Sequence, residues 1–247
     1  MTDTAPLTRT HERGITVLTL DAPDRRNALS AGLVGKLSAT LARCAKDADV
    51  RAVVLTHTGS TFCAGADLKE PPNPYVFVAL LRQIVESPKP VVARVDGHVR
   101  AGGLGLLGAC DVVVASTGSD FAFTEVRIGV APAVISLPLL PRLEPRLAAR
   151  YYLTGEKFAA PAARGLGLVT EVADDPDAAL ADLVDALRRA SPQGLAATKS
   201  LLTAKVLRAF DHHAEDYVQL SASLFASSGA REGMTAFLER RDPAWVL

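Results

Sequence analysis

Glu125 and the glycines just before it are the residues whose types and spacing suggest chemistry. The run Ala101-Gly102-Gly103 opens a short apolar segment that reads as helical, Asp111 closes it, and Glu125 follows among Phe121, Phe123, Val126 and Ile128. The first N–H groups of a helix lack intrahelical acceptors and carry partial positive charge. Glycines let a ligand oxygen approach them. This arrangement predicts an oxyanion site near Gly102 and a partly buried carboxylate near Glu125, whose pKa burial would raise into a range useful for acid–base work. Arg100 or Arg127 is a candidate ion-pair partner for it. From spacing alone two other readings stay open. Gly103-Leu104-Gly105-Leu106-Leu107-Gly108 also matches a Gly-x-Gly-x-x-Gly dinucleotide fingerprint, with Glu125 about 20 residues on; or the glycines only permit tight helix packing.

Other chemistries find little support. His11, His57, His98, His212 and His213 have no metal-ligand spacing, and no Gly-x-Ser-x-Gly elbow occurs. Cys44, Cys63 and Cys110 show neither metal nor redox spacing, and an odd, low count fits a reducing compartment. The 27 basic residues balance the 27 acidic ones, which gives no electrostatic footprint for nucleic acid or an anionic membrane. The N-terminal stretch has no apolar signal core. The uncharged run 128–141 carries three prolines and is too short to cross a membrane. A cytoplasmic protein is expected.

The elements that must position these residues follow from periodicity. Residues 15–20 and 51–56 read as strands around a helix whose face is Leu29, Leu33, Leu37, Leu41 and Ala45. Residues 75–86 read as a helix, 91–95 as a strand, 112–115 as a buried strand and 167–172 as a last strand. Glu125 is expected on an extended piece, and 128–140, broken by prolines, as chain winding over the core. Beyond 175 the character turns helical. Ser191-Pro192 is a helix-start signal, and 195–210, 214–227 and 231–241 read as further helices. An α/β core over 1–190 followed by a C-terminal helical region over 191–247 is the predicted organisation.

Four local strings then resemble one family. They are Arg26-Asn27-Ala28-Leu29, Phe62-Cys63-Ala64-Gly65-Ala66-Asp67-Leu68, the glycine-rich turn leading to Cys110-Asp111, and Gly233 to Arg241. In type and order they are similar to the enoyl-CoA hydratase/isomerase family, the crotonase fold, across nearly the whole chain. The resemblance implies an α/β spiral of ββα units with C-terminal trimerisation helices, and a homotrimer or dimer of trimers. It implies an acyl-CoA thioester as partner, with coenzyme A part of the substrate and no metal or redox cofactor. The backbone N–H groups of Ala66 and Gly102 would grip the thioester oxygen as it becomes an enolate; such donors in a dry site are worth about 3 kcal/mol each. The CoA portion would lie over Arg26, Ala28, Ala64, Asp67 and Leu68, and Phe237 and Arg240 would reach the CoA of an adjacent subunit.

The chain departs from this pattern at one place. Two-glutamate hydratases of the family carry a glutamate three residues after the oxyanion glycine, and here that residue is Gly105. Glu125 matches the second glutamate. With one carboxylate, three outcomes are open: hydration of a 2-enoyl-CoA by Glu125 alone, a double-bond shift, or acyl-CoA binding without turnover. The string Thr124 to Ser136 resembles the methylglutaconyl-CoA hydratase-type branch, which favours hydration with water as co-substrate. Residues 70–82 and 130–140 are expected to shape the acyl pocket.

Overall fold

The computed structural model describes residues 6–67 and 69–247. Chain order begins with β1 (Leu7–Glu12), β2 (Ile15–Leu20), α1 (Ala31–Lys46), β3 (Ala52–His57), β4 (Thr61–Cys63) and α2 (Pro74–Glu86). Next come β5 (Val91–Val95), β6 (His98–Arg100), α3 (Gly102–Ala109), β7 (Val112–Ser116), β8 (Asp120–Ala122) and α4 (Ala133–Leu139). The chain continues through α5 (Pro145–Thr154), β9 (Phe158–Ala159), α6 (Ala160–Leu166), β10 (Glu171–Ala173), α7 (Pro176–Arg189), α8 (Pro192–Phe225) and α9 (Ser228–Glu239).

The strands form two sheets. One has the order β1-β2-β3-β5-β7-β10 and the other β4-β6-β8-β9. Each of the pairs β3–β4, β5–β6 and β7–β8 places one strand in each sheet before the chain leaves for a helix. This repeated ββα turn winds the chain into a spiral. Within the larger sheet β2, β3, β5, β7 and β10 are parallel, and only β1 runs antiparallel. Strands buried on both faces read as continuous apolar runs, as in Ala52-Val53-Val54-Leu55. Val53 and Leu55 face the main core, and Ala52 and Val54 face a second cluster with Ile15, Val92 and Val184 of α7. That split follows the two-residue period of a strand.

Local rules explain most of the helices. Ser30 caps α1 by accepting the Leu33 N–H at 3.1 Å, and Leu33, Val34, Leu37, Leu41 and Cys44 form its buried face. Ser191 caps α8 in the same way, with Pro192 in its first turn. Three expectations are corrected. Residues 195–210 and 214–227 belong to one helix of 34 residues, because Asp211-His212-His213 is polar but not helix-breaking and the buried face continues from Thr203, Val206 and Phe210 to Val218. Within 128–140 a helix does form at Ala133–Leu139, with Pro138 inside it. Glu125 lies on a 3-10 turn, Thr124–Ile128, and not on an extended piece; Gly129 in the left-handed region (φ 76°) closes that turn.

Among the described residues, no helix is long and apolar enough to cross a membrane.

Candidate active site

The smaller sheet positions the site. Its strands β4, β6 and β8 are parallel neighbours, with Thr61 opposite His98, and Arg100 opposite Ala122. All three therefore end on the same side. Ala64-Gly65-Ala66 leaves the end of β4, Ala101-Gly102 the end of β6, and Thr124-Glu125 the end of β8. Ligands of open parallel sheets bind at such carboxyl ends. Adjacent strands lie about 4.8 Å apart, so the outer two of these segments are separated by about 10 Å, with the Gly102 turn between them.

The Ala66 and Gly102 N–H groups become available for separate local reasons. Leu29 donates to the Gly65 carbonyl at 2.8 Å, and Asp67 donates to the Leu29 carbonyl at 3.0 Å. In this parallel bridge between Leu29 and Ala66, the residue flanked by the two bonds aims its own N–H away from its partner. At β6, the Ala101 N–H binds the Ala122 carbonyl at 3.3 Å and Leu104 donates back to the Ala101 carbonyl at 2.8 Å. Gly102 is the first residue of α3, so its N–H has no intrahelical acceptor. Neither N–H has a hydrogen-bond acceptor among the described residues.

The two turns touch. Gly65 sits at φ 99°, where an L side chain is strained, and a Cβ there would stand 3.0 Å from the Ala101 Cβ and 3.8 Å from the Gly102 nitrogen. A Cβ on Gly102 would meet Leu29 Cδ1 at 2.9 Å and Phe77 Cζ at 3.6 Å. Ala101 itself takes φ 46°, ψ −118°. This is close to the first central position of a type II′ turn, which glycine normally fills. A non-glycine residue held there costs on the order of 1–3 kcal/mol, and such strain concentrates at functional sites.

Glu125 is buried (9% exposed), and its Oε2 has no hydrogen-bond partner among the described residues. Burial pushes its carboxyl from 4.5 up to about 7. An aromatic layer surrounds this end of β8: the Phe123 and Tyr152 rings lie 4.2 Å apart, and Phe158 stacks on Phe121 and Tyr151. The expected arginine partners are otherwise engaged. Arg100 is paired with Asp120 and donates to the Val99 and Asp120 carbonyls, while Arg127 Nε donates to the Thr154 carbonyl at 3.2 Å. The result is a carboxyl that changes charge near neutrality, on the same edge of the sheet as two N–H donors.

The place of a second carboxylate is filled. A Cβ on Gly105 would stand 2.6 Å from Ile135 Cγ2, 3.1 Å from Ile135 Cβ and 3.5 Å from Leu81 Cδ1. Both segments expected to shape the acyl pocket thus converge on α3, through Phe77 and Leu81 of α2 and Ile135 of α4.

Of the remaining expected site residues, Arg26, Ala28, Ala64 and Asp67 are brought together. Ala64 donates to the Arg26 carbonyl at 3.1 Å, and the Leu29 bridge draws in Asp67. Arg26 is exposed and left-handed (φ 51°). Leu68 lies outside the described residues. Phe237, 66% exposed, and Arg240 lie at the end of α9. No side-chain hydrogen bond or ion pair among the described residues joins them to the 26–67 segments. α9 packs on the Glu125 turn instead: a Cβ on Gly233 would stand 2.5 Å from the Ile128 carbonyl carbon.

Sequence reasoning missed Asn27. Fully buried at φ 51°, it accepts the Ala22 N–H at 2.8 Å and donates to the carbonyls of Thr58 (3.0 Å) and Thr61 (2.7 Å). It ties the Arg26 turn to the start of β4. An asparagine inside a turn-forming string was the available signal. His98 is half exposed and pairs with Asp120 at 2.9 Å. Among the described residues, no group of three or more His, Cys, Asp or Glu could hold a metal ion.

Comparison with known proteins bears on the family and the fold. Residues 10–246 match the family model described as enoyl-CoA hydratase/isomerase. The crystal structure of an enoyl-CoA hydratase from Mycobacterium avium superposes with a TM-score of 0.94 at 53% identity, covering 98% of this chain and 100% of that one. (E)-benzylidenesuccinyl-CoA hydratase of Thauera aromatica is 32% identical, covering 97% of this chain and 98% of its own. 1,2-epoxyphenylacetyl-CoA isomerase of Escherichia coli is 30% identical, covering 95% and 96%.

Proposed function

The chain belongs to the enoyl-CoA hydratase/isomerase family, and from that premise we propose that it adds water across the double bond of a 2-enoyl-CoA thioester with Glu125 as its single acid–base group. The thioester oxygen is received by the Ala66 and Gly102 N–H groups. Ionised Glu125 takes a proton from water as the oxygen attacks the β-carbon. The electron pair moves onto the thioester oxygen, the N–H pair stabilises the enolate, and the proton returns from Glu125 to the α-carbon. One water is consumed and the carboxylate is regenerated. The observation that carries this reading is Glu125: buried, with an unpartnered oxygen and a pKa near 7, as a general base at neutral pH requires.

The CoA portion belongs, on this reading, over Arg26, Ala28, Ala64 and Asp67, with coenzyme A as part of the substrate and no metal or redox cofactor. Phe237 and Arg240, on the outer end of α9, serve the site of a neighbouring subunit in a homotrimer or dimer of trimers. The buried free thiols of Cys44, Cys63 and Cys110 support a reducing, cytoplasmic setting.

A double-bond isomerase is the second reading. Ile135 against Gly105 favours it, because the site has no second carboxylate to help orient water. Mass spectrometry of 2-enoyl- and 3-enoyl-CoA thioesters incubated with the wild type and with Glu125→Gln separates the readings. A gain of about 18 Da, the mass of one water added by acid–base catalysis, lost in the variant, is the expected result. A 3-enoyl to 2-enoyl shift with no mass change would make the protein an isomerase. Binding without change of any thioester would leave a non-catalytic acyl-CoA-binding protein.

A further inference from the structure

A second charged cluster lies at the other end of α3 from Gly102, about 12 Å away at 1.5 Å per residue. Here a cavity of about 40 Å³ is lined by Leu107, Cys110, Asp111, Arg142, Gly167 and Thr170, among others. Lys199 is buried and holds Asp111 Oδ2 at 2.6 Å, while also donating to the carbonyls of Ile84 and Lys89. The same Asp111 oxygen accepts the Val91 N–H at 2.7 Å. Asp111 is therefore committed to Lys199 and to the backbone, and Arg142 makes no ion pair with it.

Arg142 carries the remaining positive charge. Its Nε and Nη2 are buried and have no hydrogen-bond acceptor among the described residues. A guanidinium does not escape burial by losing its proton; Asp111 favours its charge from nearby but is shared with Lys199, so the cluster keeps an excess positive charge, which is costly to bury. The Cys110 thiol does not supply one, since burial pushes it up to about 12. The partial negative charge at the C-terminal end of α3 offsets part of the cost, but its carbonyls accept nothing from these two nitrogens.

The identity of the two nitrogens matters. Nε–H and Nη2–H project side by side from the guanidinium edge and form the fork that takes both oxygens of a planar oxyanion. Arg94 uses the same fork in this chain, holding the two Asp177 oxygens at 2.9 and 2.7 Å. Thr170 adds a further donor. Its Oγ1 accepts the Val113 N–H at 3.1 Å, which leaves its own O–H to donate. The backbone around Arg142 is held in place: its N–H binds the Leu139 carbonyl at 2.9 Å, and Glu144 donates to Leu166 at 3.0 Å.

We propose that this cavity is a binding site for a small planar oxyanion of the formate, bicarbonate or nitrate class, taken bidentately by Arg142 with Thr170 as an additional donor. The volume admits an ion of a few heavy atoms and is too small to enclose the ring of an aromatic carboxylate. The site is separate from the acyl-CoA reading and does not depend on it.

The test is thermal unfolding at fixed ionic strength as chloride is replaced by formate, nitrate or benzoate, for the wild type and Arg142→Met. The expected result is a saturable rise in Tm of several degrees for the wild type in formate and nitrate, none in benzoate, and none for the variant in any of them. No rise over chloride in the wild type, an equal rise in the variant, or an equal effect of benzoate would overturn the proposal. Should Arg142→Met not fold, saturation-transfer NMR of formate on the wild type decides. Transfer displaced by nitrate but not by benzoate supports the site. No transfer, or transfer insensitive to nitrate, would assign the cavity to water.

Discussion

Replacing Glu125 with glutamine should make the protein more stable and less active at the same time, with a pH dependence whose sign follows from the burial of this one group. Its carboxyl stands at about 7 in the folded chain against 4.5 when solvated, because burial disfavours the charged form. Below pH 4.5 both states hold the proton and the folded state incurs no penalty. Between 4.5 and 7 the unfolded chain ionises while the folded one keeps its proton, so stability falls as pH rises. Above 7 the full penalty is present, about 3 kcal/mol for a displacement of this size. Glutamine has nearly the same shape and does not titrate. The stability difference, variant minus wild type, should therefore grow from small at pH 5 to about 3 kcal/mol at pH 8.5, or about 10 °C in Tm for a chain of this length. Thermal or urea unfolding at the two pH values, at one protein concentration, measures it. A difference that stays flat between pH 5 and 8.5, or a variant less stable at 8.5, would refute the idea that Glu125 sits desolvated. Wild-type kcat/KM should rise through pH 7 as the base ionises, and the glutamine variant should lack turnover throughout.

Gly102→Ala should lower kcat/KM by about 100-fold or more, since the new Cβ would stand 2.9 Å from Leu29 Cδ1 and displace the N–H donor; steady-state kinetics with unchanged activity would remove Gly102 from the oxyanion site. Gly105→Glu alone should destabilise by about 1–3 kcal/mol through overpacking on Ile135, whereas Gly105→Glu with Ile135→Ala should recover part of that loss and raise hydration relative to the single variant, as read by urea unfolding and product mass. Lys199→Met should cost up to about 3–5 kcal/mol by leaving the partly buried Asp111 without its partner, and adding Asp111→Asn should restore part of it; a neutral single variant would show that the pair is not desolvated.

The family and the order of the elements were legible because they depend on short-range patterns. Apolar alternation and runs marked β2, β3, β5 and β7 of the larger sheet, Ser191 marked a helix start, and four short strings carried the resemblance. The three-residue strands β4, β6 and β8 left no such trace. A strand of that length is too short for periodicity to register, yet its parallel register is what aligns the Ala66, Gly102 and Glu125 segments at one edge. The turn holding Glu125 also escaped the sequence reading, because its end depends on Gly129 meeting Gly229 of α9 in the folded chain.

What the residues determined by themselves was the inventory: one glutamate where a pair is usual, two positions small enough to present N–H groups, and glycines where backbones must approach. What only the tertiary structure decided was the environment of that inventory. Composition does not reveal that Ile135 occupies the space beside Gly105, that Arg100 is committed to Asp120, or that Glu125 Oε2 has no hydrogen-bond partner among the described residues. Each depends on how segments remote in sequence pack against one another. The pKa of a carboxyl depends on the water and charges removed or retained around it, and that is settled only when those segments pack.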